Sequence, residues 1–179
     1  TGLGVKFTSF IGSINDLSIL YGLIVSMLIA IILGMGIPTV AAYVVAASVV
    51  GPPLVAAGLE PITAHLFLFY FSLMSGITPP VCTAVYVAAA IAKANWLRTA
   101  YWSMLIGLSG FIIPYMFVYG NELLLKGNIS SILITIITAG VGVTALSSAT
   151  MGYMLRNNKY YESLILAIGA LLLIFPEAI

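Results

Sequence analysis

The chain has 179 residues, of which six are Lys or Arg and five are Asp or Glu. A soluble domain carries roughly a quarter charged residues; this chain carries 6% and is 62% hydrophobic, which excludes a water-soluble globule. The net charge of +1 offers no field that would attract nucleic acid. The single cysteine and the single histidine exclude a disulfide framework, a CxxC site and a multi-histidine metal site.

The few charged residues leave long uncharged segments between them. Runs without Asp, Glu, Lys or Arg cover 17–59, 61–92, 99–121, 127–155 and 163–176, which are 43, 32, 23, 29 and 14 residues long. A helix needs about 20 apolar residues to cross a bilayer, and the chain lacks the period-2 alternation of barrel strands. The sequence therefore predicts an all-α polytopic membrane protein. The first residue is Thr1 and no signal-peptide pattern follows, which indicates an internal piece of a longer polypeptide.

The first two predicted elements lie within the longest uncharged run. Residues 17–34 predict a membrane span, which the Gly/Pro-rich segment 34–39 should end. Residues 38–59 consist of two short apolar stretches on either side of a break at 48–53. Because each stretch is too short to cross the bilayer, this pattern predicts a re-entrant helical hairpin that enters and leaves on the same side.

The next predicted element is a broken helix. Residues 62–92 would form about 46 Å of straight helix, but the sequence SGITPP interrupts them at 75–80. Two consecutive prolines remove two backbone donors and push the preceding residue out of helical geometry. We therefore expect one half-helix over 62–74, an unwound stretch, and a second half-helix over 81–92.

Three further spans follow, over 99–119 with a kink at Pro114, over 129–151 and over 160–176. If 38–59 is re-entrant, five of the six basic residues fall on one side of the membrane; if it crosses, the best division is four against two. The positive-inside rule therefore favours the hairpin.

We expect the binding site to lie at the interruptions of the predicted helices. Irregular backbone survives in a membrane where it is buried in protein or lines a watery cavity, and paired helix interruptions mark the substrate and ion sites of transporters. Helix N-termini suit a carboxylate, and unwound carbonyls suit sodium, so neither ligand needs a charged side chain. The alternative is that these are plain proline kinks. Hydroxyl oxygens could come from Thr39, Ser48, Ser75 and Thr78.

Two segments, LGMGIPTVAAYVVAA (33–47) and GLEPITAHLFLFYFSLMSGITPPV (58–81), resemble the large membrane subunit of tripartite ATP-independent periplasmic (TRAP) transporters. They are most similar to fused permeases that work with TAXI-type binding proteins. The resemblance implies one repeat of an elevator-type transporter, with 1–120 as the second inverted repeat (span 17–34, hairpin 38–59, broken helix 62–92, span 99–119) and 121–179 as extra C-terminal membrane helices.

The resemblance also implies a function and a site. The function would be import of carboxylates across a bacterial inner membrane, coupled to a sodium gradient and with no cofactor besides that ion. The partners would be a periplasmic TAXI-type binding protein, the missing N-terminal repeat, a small membrane subunit or its fused equivalent, and the lipid bilayer. Sodium would bind carbonyls near Gly36 and in 75–78. The implied site residues are Gly34, Gly36, Pro38, Thr39, Ser48, Gly51, Pro52, Ser75, Gly76, Thr78, Pro79 and Pro80.

Two other classes of function compete with the transporter. Re-entrant half-helices also build channel filters, and a membrane-anchored structural subunit would have no solute path. An enzyme is disfavoured: the sequence GLSG at 107–110 has no later histidine to serve as a base, and no metal cluster can be assembled from these side chains.

Overall fold

A computed structural model describes residues 19–154, 156 and 158–174 of the chain. The helices are α1 (Ile19–Gly34), α2 (Thr39–Ala56), α3 (Pro61–Met74), α4 (Thr83–Ile91), α5 (Trp96–Gly107), α6 (Ile113–Tyr119), α7 (Ile129–Met151) and α8 (Tyr160–Ile174), with 3₁₀ turns at Leu108–Phe111 and Asn121–Leu124. The chain forms two compact units, of which the first ends at Ser103 and the second begins at Met104.

Three segments of the described chain are long and apolar enough to cross a membrane. They are Thr39–Ala56, Trp96–Tyr119 and Ile129–Met151, and three shorter apolar helices accompany them, at Ile19–Gly34, Pro61–Met74 and Tyr160–Ile174. This arrangement agrees with the prediction of an all-α polytopic membrane protein.

In the first unit, α1, α2 and α3 pack against one another in all three pairings. Small side chains let the backbones approach closely, and larger ones fill the remaining space. Phe67 and Phe71 meet edge to face with their ring centroids 4.8 Å apart. The side chains that lose essentially all solvent contact here are Leu23, Ala30, Ala42, Ala46, Val50, Leu54, Ala64, Phe67, Leu68 and Phe71.

One hydroxyl in this core has no hydrogen-bond partner. The Oγ atom of Ser26 is fully buried and has no partner among the described residues, whereas the Oγ atom of the equally buried Ser72 donates to the Leu68 carbonyl oxygen over 2.8 Å. An unsatisfied buried polar group costs about 1–3 kcal/mol.

Replacing Ser26 by alanine is therefore expected to raise the free energy of unfolding by about 1 kcal/mol, because the change removes an unpaired group at little cost in volume. The measurement is the unfolding midpoint of the purified protein in detergent. Ser72→Ala is the matched control, since it deletes a hydroxyl that is bonded. A Ser26→Ala protein that is no more stable than Ser72→Ala would contradict the expectation.

The structure corrects the prediction of a hairpin within 38–59. Residues Thr39–Ala56 form one continuous helix, α2, and Pro52 and Pro53 lie inside it. A proline in a helix removes a hydrogen bond but has a φ angle that the helix accepts, and packing against neighbouring helices tolerates the loss in a membrane protein. The predicted break at 48–53 is therefore wrong.

A helical hairpin does exist, but one element earlier. Helices α1 and α2 pack together and are joined by the four-residue turn 35–38. The segment predicted as a simple span, 17–34, supplies its first helix. The division of basic residues into five against one no longer applies, because it assumed that the chain turns back at 48–53.

The broken helix over 62–92 is confirmed. Helix α3 ends at Met74 and α4 begins at Thr83, so residues 75–82 form the unwound stretch. The later span over 99–119 is also interrupted: the 3₁₀ turn Leu108–Phe111 separates α5 from α6, just before Pro114.

The second unit is built on the antiparallel pair α7 and α8, which make extensive contact. Its core holds Met116, Ala139, Leu146, Ala170 and Ile174. A Cβ atom on Gly142 would lie 2.7 Å from Ile174 Cγ1 and 3.2 Å from the Ala170 carbonyl oxygen. Helix α7 therefore touches α8 at a point where only glycine fits.

The connection between α7 and α8 is held by side-chain hydrogen bonds. Gly152 ends α7 in the left-handed region with a φ of 67°, a conformation that glycine adopts without strain. Asn158 Nδ2 donates to the Ser148 carbonyl oxygen over 3.1 Å. Glu162 accepts from the Lys159 backbone N–H over 2.9 Å and from Arg156 over 2.6 Å, so it caps the start of α8.

Candidate functional site

The turn of the α1–α2 hairpin begins where α1 ends, at Gly34. Gly36 has a φ of +80°, a conformation that is strained for residues with a side chain. Pro38 follows with φ −57° and ψ 141° and precedes the first helical residue of α2. The glycine–proline pattern thus reverses the chain within four residues, rather than simply ending a span.

The start of α2 has three backbone donors without an acceptor among the described residues. The first helical hydrogen bond runs from the Ala42 N–H to the Pro38 carbonyl oxygen over 2.9 Å, so the N–H groups of Thr39, Val40 and Ala41 have no acceptor within the helix. Pro38 supplies no side-chain cap. Thr39 is half-buried and the next two residues are exposed. These donors lie at the positive end of the helix dipole, which suits a carboxylate.

The unwound stretch 75–82 continues α3 as a series of tight turns. Ile77 N–H donates to the Met74 carbonyl oxygen over 3.1 Å. The hydroxyls of Ser75 and Thr78 donate back to the carbonyl oxygens of Ser72 and Met74, over 2.7 and 2.8 Å. Both predicted hydroxyls of the break are thus engaged as donors, while their oxygen lone pairs can still act as cation ligands.

The far side of the break is tied to the near side by backbone hydrogen bonds. Ala84 N–H donates to the Gly76 carbonyl oxygen over 3.1 Å, and Cys82 N–H donates to the Thr78 carbonyl oxygen over 3.3 Å. The start of α4 therefore has fewer free donors than the start of α2. Pro79 and Pro80 have no N–H, and within the described residues no hydrogen bond ends on the carbonyls of Ile77 or Pro79.

The turn of the hairpin lies directly against the break. A Cβ atom built on Gly34 would lie 2.5 Å from Ser75 Oγ and 2.9 Å from Ser75 Cβ, and one on Gly36 would lie 3.5 Å from Val81 Cγ1. Glycine at position 34 is what permits this approach.

Nine of the twelve candidate residues belong to these two segments. The end of α1, the turn and the first residue of α2 carry Gly34, Gly36, Pro38 and Thr39, and the break carries Ser75, Gly76, Thr78, Pro79 and Pro80. Val81 also belongs to the contact, and the sequence analysis missed it because an apolar residue after two prolines carries no signal of its own.

The other three candidates lie elsewhere, on the body of α2. Ser48 is exposed and donates to the Val45 carbonyl oxygen over 2.8 Å. Gly51 is buried beside Leu68, and Pro52 is exposed. At 1.5 Å per residue, Ser48 is about 14 Å along the helix from Thr39. The structure therefore removes Ser48, Gly51 and Pro52 from the candidate site.

The site is free of charged side chains in the described part of the chain. The first unit has Glu60 before α3, Lys93 after α4 and Arg98 in α5, all outside the turn and the break. No group of three or more His, Cys, Asp and Glu residues among the described residues could hold a metal ion. The groups that the described residues offer to a ligand at the turn and the break are backbone N–H and carbonyl groups and hydroxyls.

Two protein-family models match the chain. Residues 1–129 match the Tripartite ATP-independent periplasmic transporter, DctM component, and residues 132–179 match a domain of unknown function, DUF3394. No curated protein and no solved structure matches it. The first match confirms the resemblance on GMGIPT and SGITPP; the TAXI type is not tested by it.

The first model covers well over half of the chain, and its family consists of inner-membrane transporter components rather than enzymes. Members of this family act together with a periplasmic binding protein and a small membrane subunit. The chain belongs to the DctM family, the large membrane component of TRAP secondary transporters.

Proposed function

We propose that this chain forms part of a permease that imports organic anions with a sodium gradient and receives them from a periplasmic binding protein of the TAXI type. The observation that carries the proposal is the contact between the hairpin turn and the break, marked by Gly34 and Ser75. It places the turn that leads into α2 beside the unwound stretch 75–82.

The two kinds of ligand would use different sides of this contact. The substrate carboxylate would accept hydrogen bonds from the N–H groups at the start of α2, where the helix dipole favours negative charge. Sodium would bind carbonyl and hydroxyl oxygens around Gly36 and Ser75–Thr78, because a hard cation prefers oxygen ligands. Binding one ion of each sign at adjacent points would couple their movements.

The unit that ends at Ser103 fits the proposal of one repeat of an elevator-type permease, with a second copy of opposite orientation completing the site. In this proposal α1 and α2, rather than 38–59 alone, form the re-entrant hairpin.

The test is uptake by the whole permease in proteoliposomes supplied with its binding protein. We expect uptake to require both an inward sodium gradient and the binding protein. Uptake that persists without either one contradicts the proposal, and ion conductance without the binding protein would favour a channel.

A substitution at Thr39 isolates the helix-start donors. Proline is well tolerated at the first helical position, and Pro38 already has the extended geometry that a following proline requires. Thr39→Pro therefore removes a backbone N–H without disturbing α2. Because a hydrogen bond to a charged group contributes about 1.5–3 kcal/mol, we expect the half-saturating substrate concentration to rise about tenfold or more.

Thr39→Val is the control, since it removes the hydroxyl and keeps the N–H. If both variants raise the half-saturating concentration equally, the backbone donor is not what binds the substrate.

A further inference from the structure

A hydrogen bond connects the second helix of the hairpin to the first half of the broken helix. The Tyr43 hydroxyl lies 2.9 Å from His65 Nδ1, and their rings meet edge to face with centroids 6.1 Å apart. Tyr43 is on α2 and is half-buried, and His65, the single histidine of the chain, is exposed on α3. The bond therefore joins the two helices whose ends form the candidate site.

The position of Tyr43 is favourable for control of the turn. It lies four residues, or about 6 Å, after Thr39, so it belongs to the second turn of α2. Its ring also meets Phe69 of α3 edge to face at 5.5 Å. The ring contact and the hydrogen bond are one turn apart on α3. Together they set both the position of α2 along the axis of α3 and the rotation of α2 about its own axis.

Most of the other side chains buried on α2 and α3 are apolar, among them Ala42, Ala46, Phe67 and Phe71. The buried hydroxyl of Ser72 donates within its own helix. Apolar contact is non-directional, so small rotations or sliding of α2 along α3 change its energy little. A hydrogen bond weakens steeply with misalignment. Exposed polar groups within membrane segments are also costly. Breaking the bond between Tyr43 and His65 would leave both groups without that partner, so the bonded state is favoured.

We infer that Tyr43 and His65 are a positioning pair that fixes the start of α2, and with it the turn 35–38, against the break at 75–82. The pair touches neither ligand in this arrangement. It acts through the backbone of α2, whose first three N–H groups move as a unit with Tyr43. The consequence for uptake rests on the proposed function, whereas the consequence for the position of the turn does not.

The first measurement follows the turn itself. Ile37 is 40% exposed in the turn, so Ile37→Cys, made in the whole permease without other reactive cysteines, reports the accessibility of the turn to a soluble maleimide. Tyr43→Phe keeps the ring contact with Phe69 and deletes the hydroxyl. We expect it to change the labelling rate about three- to tenfold, the factor that corresponds to the net contribution of one hydrogen bond.

Four further variants make the test specific. His65→Leu should change the labelling rate as much as Tyr43→Phe, and the double variant should change it no further, because both remove the same bond. His65→Asn offers an amide near the position of Nδ1 and should restore most of the wild-type rate. Tyr21→Phe is the matched control: Tyr21 is 59% exposed on α1, and its hydroxyl makes no bond within the described residues.

The second measurement is uptake. Tyr43→Phe should raise the half-saturating substrate concentration about three- to tenfold with the maximal rate unchanged, because a displaced turn weakens binding. A changed labelling rate with unchanged uptake would support the positioning pair and contradict the proposed role of the turn in substrate binding. A labelling rate for Tyr43→Phe equal to that of Tyr21→Phe would overturn the inference, whatever the uptake.

Discussion

Replacing Gly34 by alanine is expected to reduce uptake by the whole permease to background. The new Cβ atom would lie 2.5 Å from Ser75 Oγ and 2.9 Å from Ser75 Cβ, distances that no relaxed structure keeps. Overpacking of a buried contact costs about 1–3 kcal/mol, and the cheapest relief is a shift of the turn away from the break. That shift would move the turn and the start of α2 away from the unwound stretch 75–82. The measurement is substrate uptake at saturating sodium.

The cause of that loss can be isolated by a rescue. Ser75→Gly removes the two nearest atoms that the new Cβ atom meets and leaves Ala42 Cβ at 3.3 Å. Gly34→Ala combined with Ser75→Gly should therefore recover most of the uptake of Ser75→Gly alone. Gly51→Ala is the control on the same hairpin, since its Cβ atom would meet nothing closer than Leu68 Cδ1 at 4.0 Å. Full uptake by Gly34→Ala, or loss of uptake by Gly51→Ala, would refute the placement of the site at the turn.

Replacing Gly142 by valine is expected to lower the free energy of unfolding of the second unit by about 1–3 kcal/mol. Its Cβ atom would meet Ile174 Cγ1 at 2.7 Å and the Ala170 carbonyl oxygen at 3.2 Å, and a backbone oxygen on a packed helix cannot move aside. Helices α7 and α8 would have to separate. The measurement is the unfolding midpoint in a denaturing detergent titration.

Gly140→Val is the matched control for this change. Gly140 lies on the same helix, and nothing stands within 4 Å of its Cβ position. Both substitutions alter helix propensity equally, so the difference between the two variants measures packing against α8. Equal stability of the two variants would mean that α7 and α8 do not touch at Gly142.

Much of the fold could be predicted from hydrophobicity and from the glycine and proline positions. The run at 129–151 coincides with α7. Two prolines after Thr78 predicted the broken helix, because two consecutive residues without a backbone N–H remove two helical hydrogen bonds. The prolines at 52 and 53 misled the prediction. A proline removes one helical hydrogen bond. Whether the helix ends at that proline depends on the packing of the surrounding helices.

The candidate site could also be predicted only in part from the sequence. Glycine at 34 and 36 and proline at 38 were recognisable as a chain interruption, as was the break at 75–80. The resemblance to TRAP permeases implied that both segments carry site residues. The bond between Tyr43 and His65 could not be predicted, because the two residues lie 22 positions apart, and their pairing depends on how α2 and α3 are rotated against each other.

By itself, the sequence determined that this protein is helical, lies in a membrane, and has no charged side chains in the segments where its helices break. Those properties follow from local composition and from the hydrogen-bonding capacity of each residue. Only the tertiary structure decided which interruption is a turn, which is a helix that continues, and which two meet. That decision rests on close packing, where a single Cβ atom at Gly34 would separate the turn from the break.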